Sequence, residues 1–381
     1  MSDGQAIWYD KMRESLEVNS QIYLNDAAGA SDGGKMGKDI TKILVECMLD
    51  KILQDSRSSP RRLARNLVDI SLNFAKGRFQ KRFLSDAQEM LKNPESAYYE
   101  LVSDQIANVD RKHMVTFGMN LGYNGCTVGA KRIREIEAEQ NLNIPWSLSL
   151  LLDRERLLIN PDSYCRIIEQ GRKIGIYVYL FFLHDENADL CLPLIENYPN
   201  CAFGIFLQNC TFSDAYLEKL QKCGNAMTVI YADEAAPESC QRLREKRLLY
   251  GIHYSYDETD REKILSESWL TAQEPLRPCF AFLHARDSCS LQTQNEIYQH
   301  VLAVRSEQKH PILYMELRQD IYQIDEIISD DACLVGFRED GSVHMRQQTQ
   351  NRTDVNIFST NLLDLLKTVA LKQATAPSAE Y

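Results

Sequence analysis

The segment NIPWSLSLLLDRERLLINPDSYC, residues 143–165, decides how the chain is read. An apolar run from Trp146 to Leu152 delivers Asp153 to its end, and a helix start follows, with Asn160 as N-cap and Pro161 in the first helical position. In a strand-then-helix unit, that junction is where ligands and catalytic groups gather. Here it is short, because only RERLLIN, residues 154–160, separates Asp153 from the Pro161 helix.

The same alternation continues downstream. Strand-like runs occupy 176–185 (IYVYLFFLHD), 201–209 (CAFGIFLQN), 226–234, 248–257, 278–287 and 311–317. Between them lie helix candidates such as DSYCRIIEQGRK, DAYLEKLQKCG and LQTQNEIYQHVLAVRSEQ. Apolar strands alternating with amphipathic helices imply a parallel sheet covered by helices, so the pattern predicts an α/β fold built on a partial or complete parallel (β/α) barrel. Upstream, residues 39–107 read as helical: ITKILVECMLDKIL has apolar residues at helical spacing, and Ser85 with Gln88 has the form of a capping box. AKRIREIEAEQN, 130–141, leads into the first strand. At the far end CLVGFREDGSVHMRQQ, 333–348, carries the Asp340–Gly341 hairpin signal, and TNLLDLLKTVALK reads as a helix. The expected organisation is a flexible segment to residue 40, a helical domain over 41–142, the barrel over 143–320, a small hairpin-plus-helix unit over 321–372 and a disordered tail from 373.

Composition sets outer limits. With 25% charged residues and 44% hydrophobic ones, the 381 residues describe a soluble globular protein. The net charge of −11 argues against nucleic acid or an anionic membrane as partner, since both are polyanions. No apolar run is long enough to span a bilayer, and the N-terminus MSDGQAIWYDKMRE has no signal-peptide pattern, so a cytoplasmic location is expected. The eleven cysteines are scattered, no two within eight residues of each other, so no local thiolate loop for zinc or an iron–sulfur cluster is written into the chain. Gly29, Gly34 and Lys35 match part of a phosphate-binding loop, but Met36 replaces the magnesium-binding hydroxyl, and a linker is the better reading. The eight basic residues from Arg57 to Arg82, set against only Asp69, read as a solvated helix surface rather than a partner-binding face.

This order of elements resembles the radical S-adenosylmethionine (radical SAM) proteins that carry a helical N-terminal extension and a SPASM- or twitch-type C-terminal domain. Ile144-Pro145-Trp146 with Asp153 resembles the strand that enters their CxxxCxxC loop, and IIEQGRKIGIYVYLFF the helix and strand before their Gly-Gly-Glu-Pro turn. FGIFLQNCTFSDAYLEKLQKCGN, ending at Gly224-Asn225, resembles the third strand and a Thr-Asn-Gly-Thr turn; Asp340-Gly341 and Asn356-Ile357 with LLDLL resemble the terminal pattern. The resemblance implies a [4Fe-4S] cluster and S-adenosylmethionine as cofactors, but the motif that binds them is absent. No cysteine follows Asp153, His184-Asp185-Glu186-Asn187 stands in place of Gly-Gly-Glu-Pro, and Arg346 stands where a C-terminal cluster cysteine is expected. No cofactor is therefore expected, and the chain reads as a degenerate relative.

The strand ends supply the candidate pocket: Asp153, His184, Asp185, Asn209, Glu234, His253, His284 and Arg286, with Gln208, Asp233 and Tyr256 beside them. The three histidines with Asp185 or Glu234 are residue types that ligate a metal, but no HxH or HxxxH spacing supports a metal site, and local hydrogen bonding is the preferred reading. Cys126 and Cys210 sit in turn-like contexts without a neighbouring base, and Asp233 and Glu234, as strand neighbours, should face opposite ways. The expected function is a binding or scaffold protein of radical SAM fold, with a peptide, another protein or an active paralogue as partner. Two alternatives remain: a metal-dependent enzyme using His184, His253 and His284, or a radical SAM enzyme whose distant Cys126, Cys210 and Cys289 meet in space.

Overall fold

Seven parallel strands follow the alternation read from the sequence, in a computed structural model that describes residues 40–54, 59–183, 185–208, 212–329, 331–345, 352–370 and 372. The Gly29–Lys35 loop, the tail from 373, His184, Asn209, Cys210 and Arg346 lie outside the described residues. The strands are β1 (Ser147–Leu151), β2 (Val178–Leu183), β3 (Ala202–Leu207), β4 (Ala226–Tyr231), β5 (Tyr250–Tyr256), β6 (Phe280–Ala285) and β7 (Leu313–Glu316). Beyond β1 the sheet continues through β8 (Val335–Phe337), parallel to β1, then antiparallel β9 (Ser342–Met345) and β10 (Arg352–Asn356). The Asp340–Gly341 turn joins β8 to β9, with Gly341 at φ 84°, a conformation that glycine adopts without steric cost. The C-terminal hairpin is thus continuous with the main sheet.

The sheet curls but stays open. Strands stand about 4.8 Å apart, so β3 and β6 would be about 14 Å apart in a flat sheet. Their Phe206 and Phe282 rings nevertheless meet at 5.6 Å between centroids. β7 pairs only with β6, and the neighbour of β1 on its free side is β8, so the structure is a partial barrel. Register assigns Leu151, Phe182, Phe206, Tyr231, His253, Ser255, Phe282, His284 and Met315 to the concave face. The convex face is sealed by helices. Tyr179, fully buried, donates its hydroxyl to Ile168 O in α8 (Asp162–Lys173), whose Tyr164, Ile167, Ile168 and Gly171 form the buried stripe. On α10 (Asp214–Leu220), buried Tyr216 meets Thr228 of β4 at 2.8 Å.

The N-terminal helices are α1 (Ile40–Gln54), α2 (Pro60–Phe74), α3 (Arg78–Met90), α4 (Tyr98–Asn108), α5 (Arg111–Gly118) and α6 (Ala130–Gln140). α2 begins with Ser59 as N-cap and Pro60 in its first turn. The capping box expected at Ser85 is not there: α3 runs through it and starts at Gly77, with Gln80 returning to the cap. Between α5 and α6 the chain stays helical as a π-type stretch, Met119–Gly129, so Cys126 lies in a helix and not in a turn. Gly125 and Gly129 pack closely on the sheet entry: a Cβ on Gly125 would stand 3.1 Å from Val178 Cγ2, and one on Gly175 2.6 Å from Gly129 O. Asn120 donates to Pro199 O and Cys201 O at 2.8 and 2.9 Å, so this layer covers the N-terminal ends of the strands. Part of the basic run is structural: Arg65 donates to Leu91 O and Tyr99 OH, and Arg78 to Ile328 O.

The open side is bridged by α15 (Leu317–Ser329), which leaves β7 at one edge and leads to β8 beside β1. Its buried Asp325 accepts the N–H groups of Trp146, at the entry to β1, and Cys333, before β8, at 2.8 and 2.7 Å. Removing this carboxylate orphans two buried donors, which costs roughly 1–3 kcal/mol each. Asp325→Ala should therefore lower the urea-unfolding free energy by about 2–4 kcal/mol, and Asp325→Asn should recover at most half, because an amide oxygen satisfies one donor while its NH2 opposes the other. An unchanged midpoint for both variants would show that the bridge holds without the carboxylate.

Candidate functional site

The concave face near the strand exits brings together two of the expected residues and adds two others. His253 on β5 and His284 on β6 meet, Nδ1 to Nε2, at 3.3 Å. Ser255, two residues on from His253 and so on the same face, places Oγ 2.9 Å from that His284 Nε2. Tyr231 of β4 packs edge-on against His253, as does Phe206.

The hydrogen-bond partners of the two rings fix their protonation pattern. His253 Nε2 lies 2.8 Å from Leu207 O, and a carbonyl only accepts, so Nε2 carries the proton. Burial pushes the His253 imidazole down to about 4, opposed by that hydrogen bond, so the ring is neutral near pH 7 and Nδ1 holds a lone pair. His284 keeps an exposed edge, yet burial, then His253 and the nearby Arg318 and Arg286, lower its value too. Two bare nitrogens facing at 3.3 Å would repel, so His284 Nε2–H donates toward His253 Nδ1 and is shared with Ser255 Oγ. Ser255 is consequently an acceptor from His284 and is not activated by it as a nucleophile. Its own O–H, and Nδ1 of His284, are left for a ligand.

The other expected residues are used differently. Asp153 is the N-cap of a short helix, α7 (Arg154–Ile159), that fills the short junction after β1. Its carboxylate accepts Arg156 N–H at 2.8 Å, and its own N–H donates to Tyr164 OH at 2.8 Å. Asn160 ends α7, and Pro161 occupies the N-cap position of α8. Glu234 and Asp233 lie past β4, exposed in the turn into α11 (Ala236–Glu245), not alternating in a strand as expected. Arg286 is tied to Asp257 at 2.8 Å. Tyr256 points under the helices, its hydroxyl donating toward Glu316 at 3.4 Å. Asp185 opens a 3-10 turn after β2, and its side chain lies outside the described residues.

The cluster and S-adenosylmethionine implied by the family resemblance do not fit the residues present. Three thiolates are needed where β1 ends, and Leu152, Asp153 and α7 supply none. Cys126 lies beside Trp146 at the strand entries, and Cys289 lies past the exit of β6, at opposite ends of the sheet, so these two do not meet. Burial pushes their thiols up, Cys126 to about 12 and Cys289 to about 11, away from ligating thiolates. Among the described residues, no group of three or more His, Cys, Asp or Glu side chains is placed to hold a metal ion. A cavity of about 660 Å³ lies elsewhere, between α2, α4 and α11; its Arg244 is bidentate to Asp104 and its Arg277 is paired with Glu100.

No protein-family model matches the chain, and no curated protein does. Among solved structures, Streptococcus suis SuiB is similar in three forms. SuiB alone has a TM-score of 0.45 at 11% identity, over 86% of this chain and 82% of SuiB. SuiB bound to S-adenosylmethionine scores 0.44 at 10% identity, with the same two coverages. SuiB bound to the precursor peptide SuiA scores 0.43 at 11%, over 61% of this chain and 67% of SuiB. Among the described residues, no helix is long and apolar enough to cross a membrane.

Sequence reasoning missed Ser255 and Glu316. The signal for Ser255 was period-two alternation with His253; none pointed to Glu316, which lies at the exit of β7 and accepts Gln319 N–H at 2.7 Å. Burial lifts the Glu316 carboxyl from 4.5 to about 7. A raised value means the fold prefers the protonated form, so this contribution is complete below pH 4.5 and is lost as pH rises through about 7. Glu316→Gln should flatten that part of the stability profile, so that the variant gains on the wild type by about 2–3 kcal/mol between pH 4.5 and 7.5 in urea titrations. A constant difference across this range would sink the assignment. For the imidazoles, long-range 15N–1H correlation should show His253 as the neutral Nε2–H tautomer from pH 8 down to about 5; an imidazolium signal at pH 6 would refute the hydrogen-bond pattern.

Proposed function

We propose that this chain is a binding protein of degenerate radical SAM type, without the cluster chemistry of that family, and that its open concave face receives a peptide. The observation that carries the reading is the exit of β1. Where the resembled proteins hold a cysteine loop, Asp153 caps α7 and the junction's backbone donors are met internally by Asp153 and Tyr164. The neighbouring polar groups fit binding better than attack on a substrate, because Ser255 is not activated by His284 while its O–H and His284 Nδ1 remain for a ligand. Around them Leu180, Phe182, Tyr231 and Met315 are half-buried and form a partly accessible apolar floor. A peptide suits such a surface because it combines apolar side chains with backbone donors and acceptors. The terminal hairpin and α16 (Leu362–Val369) are assigned in the same reading to the SPASM- or twitch-like element.

Two measurements test this reading. Anaerobic reconstitution with iron and sulfide should leave less than one cluster per chain and no cleavage of S-adenosylmethionine; a stoichiometric cluster with 5′-deoxyadenosine release would overturn it. A displayed peptide library selected on the wild type should give binders whose affinity falls about tenfold or more in Leu180→Glu, as expected for a charge placed in an apolar contact. Failure to select any binder, or binders indifferent to that change, would remove the concave face as the binding site.

A further inference from the structure

We infer that the peptide received at the barrel mouth is cationic, with aliphatic side chains between its lysines or arginines; this rests on the binding function proposed above. Two features of the rim, one apolar and one electrostatic, point to the same occupant.

The first is an apolar rim. Leu158 and Ile159, at the end of α7, are 57% and 82% exposed, and Leu291, which opens α14 (Leu291–Glu307) after β6, is 67% exposed. All three stand at the C-terminal exits of strands, and Leu151, 36% exposed, connects them to the concave floor through its in-register neighbour Phe182. Most of the large apolar side chains that the described chain leaves exposed are gathered at this mouth, which is how a docking surface is marked.

The second is charge. Asp233, Glu234 and Glu258 are exposed on the same rim, in the turns after β4 and β5, and carry no ion pair among the described residues. Asp233 accepts Ala235 N–H and Glu258 accepts Ser290 N–H, so their oxygens are oriented while their charges remain unmatched by a cation. The nearby guanidinium groups are already committed: Arg286 to Asp257, and Arg318 to Asp287 at 3.4 Å. In a chain of net charge −11, this rim attracts a positive partner and repels a negative one. On the floor below this rim, the half-buried Phe182 and Tyr231 offer ring surface over which an ammonium or guanidinium group can lie.

The test uses three fluorescein-labelled peptides of equal length with leucines at the same positions and lysine, serine or glutamate between them. Their anisotropy is titrated against the full chain. The lysine peptide should bind about tenfold tighter than the serine peptide, with the glutamate peptide weakest, and the gap should shrink as salt rises from about 0.05 to 0.3 M. In the triple variant Asp233→Asn, Glu234→Gln, Glu258→Gln, the preference should fall below about threefold while the serine peptide keeps its affinity. Equal affinities for the three peptides would overturn the cationic assignment and leave the peptide-binding reading standing. No binding of any peptide would remove both. A concentration-dependent dimer in sedimentation that Ile159→Glu abolishes, with no peptide preference, would assign the mouth to a second copy of the chain.

Discussion

The curled sheet is held by a carboxylate that ties the helix leaving its β7 edge to the adjacent strands β1 and β8. Seven parallel strands related only to their neighbours leave an open edge, and nothing in strand pairing joins β7 to β1. Asp325 supplies that link from α15, by accepting backbone donors at the entries to β1 and β8. Burial pushes its carboxyl well above the usual range, the two N–H groups opposing this. A group in that position works because its partners are backbone and cannot rotate away. The concave face exists as a surface because α15 bridges the gap while leaving the floor accessible.

On that floor, curvature brings residues from separate strands into contact. Phe206 touches Phe282 across two intervening strands, and His253 reaches the carbonyl of Leu207 across one. The second contact fixes the tautomer of His253, which fixes that of His284, which in turn decides whether Ser255 gives or receives a proton. A single carbonyl at the end of β3 therefore determines the chemical character of a serine on β5. The same serine beside a histidine with a free lone pair would describe a nucleophile, and here it describes a hydrogen-bond contact for a ligand.

Much of the fold was legible because burial on both faces leaves apolar runs that are hard to mistake. PWSLSLLLD and IYVYLFFLHD became β1 and β2 with only their ends trimmed. Misreadings arose where one residue type serves two roles. The glycine-rich context of Cys126 suggested a turn, whereas Gly125 and Gly129 let a wide helical stretch approach the sheet. Ser85 looked like a cap but is an ordinary exposed helix position, since helix starts depend on where the preceding chain turns. At the mouth, the sequence brought every strand-end polar group to one pocket. The side chains divide instead: His253 and His284 face the hollow, Tyr256 faces the helices, and Asp153 caps the next helix.

By itself the sequence determined the strand-and-helix order, the parallel pairing and the absence of a cysteine loop after Asp153, because these depend on periodicity and residue type along the chain. Tertiary structure alone decided that the barrel stays open, that Asp325 bridges it and that the two imidazoles meet Ser255. Those features depend on sheet curvature and on which face each strand end presents, and both are set by contacts between residues far apart in sequence.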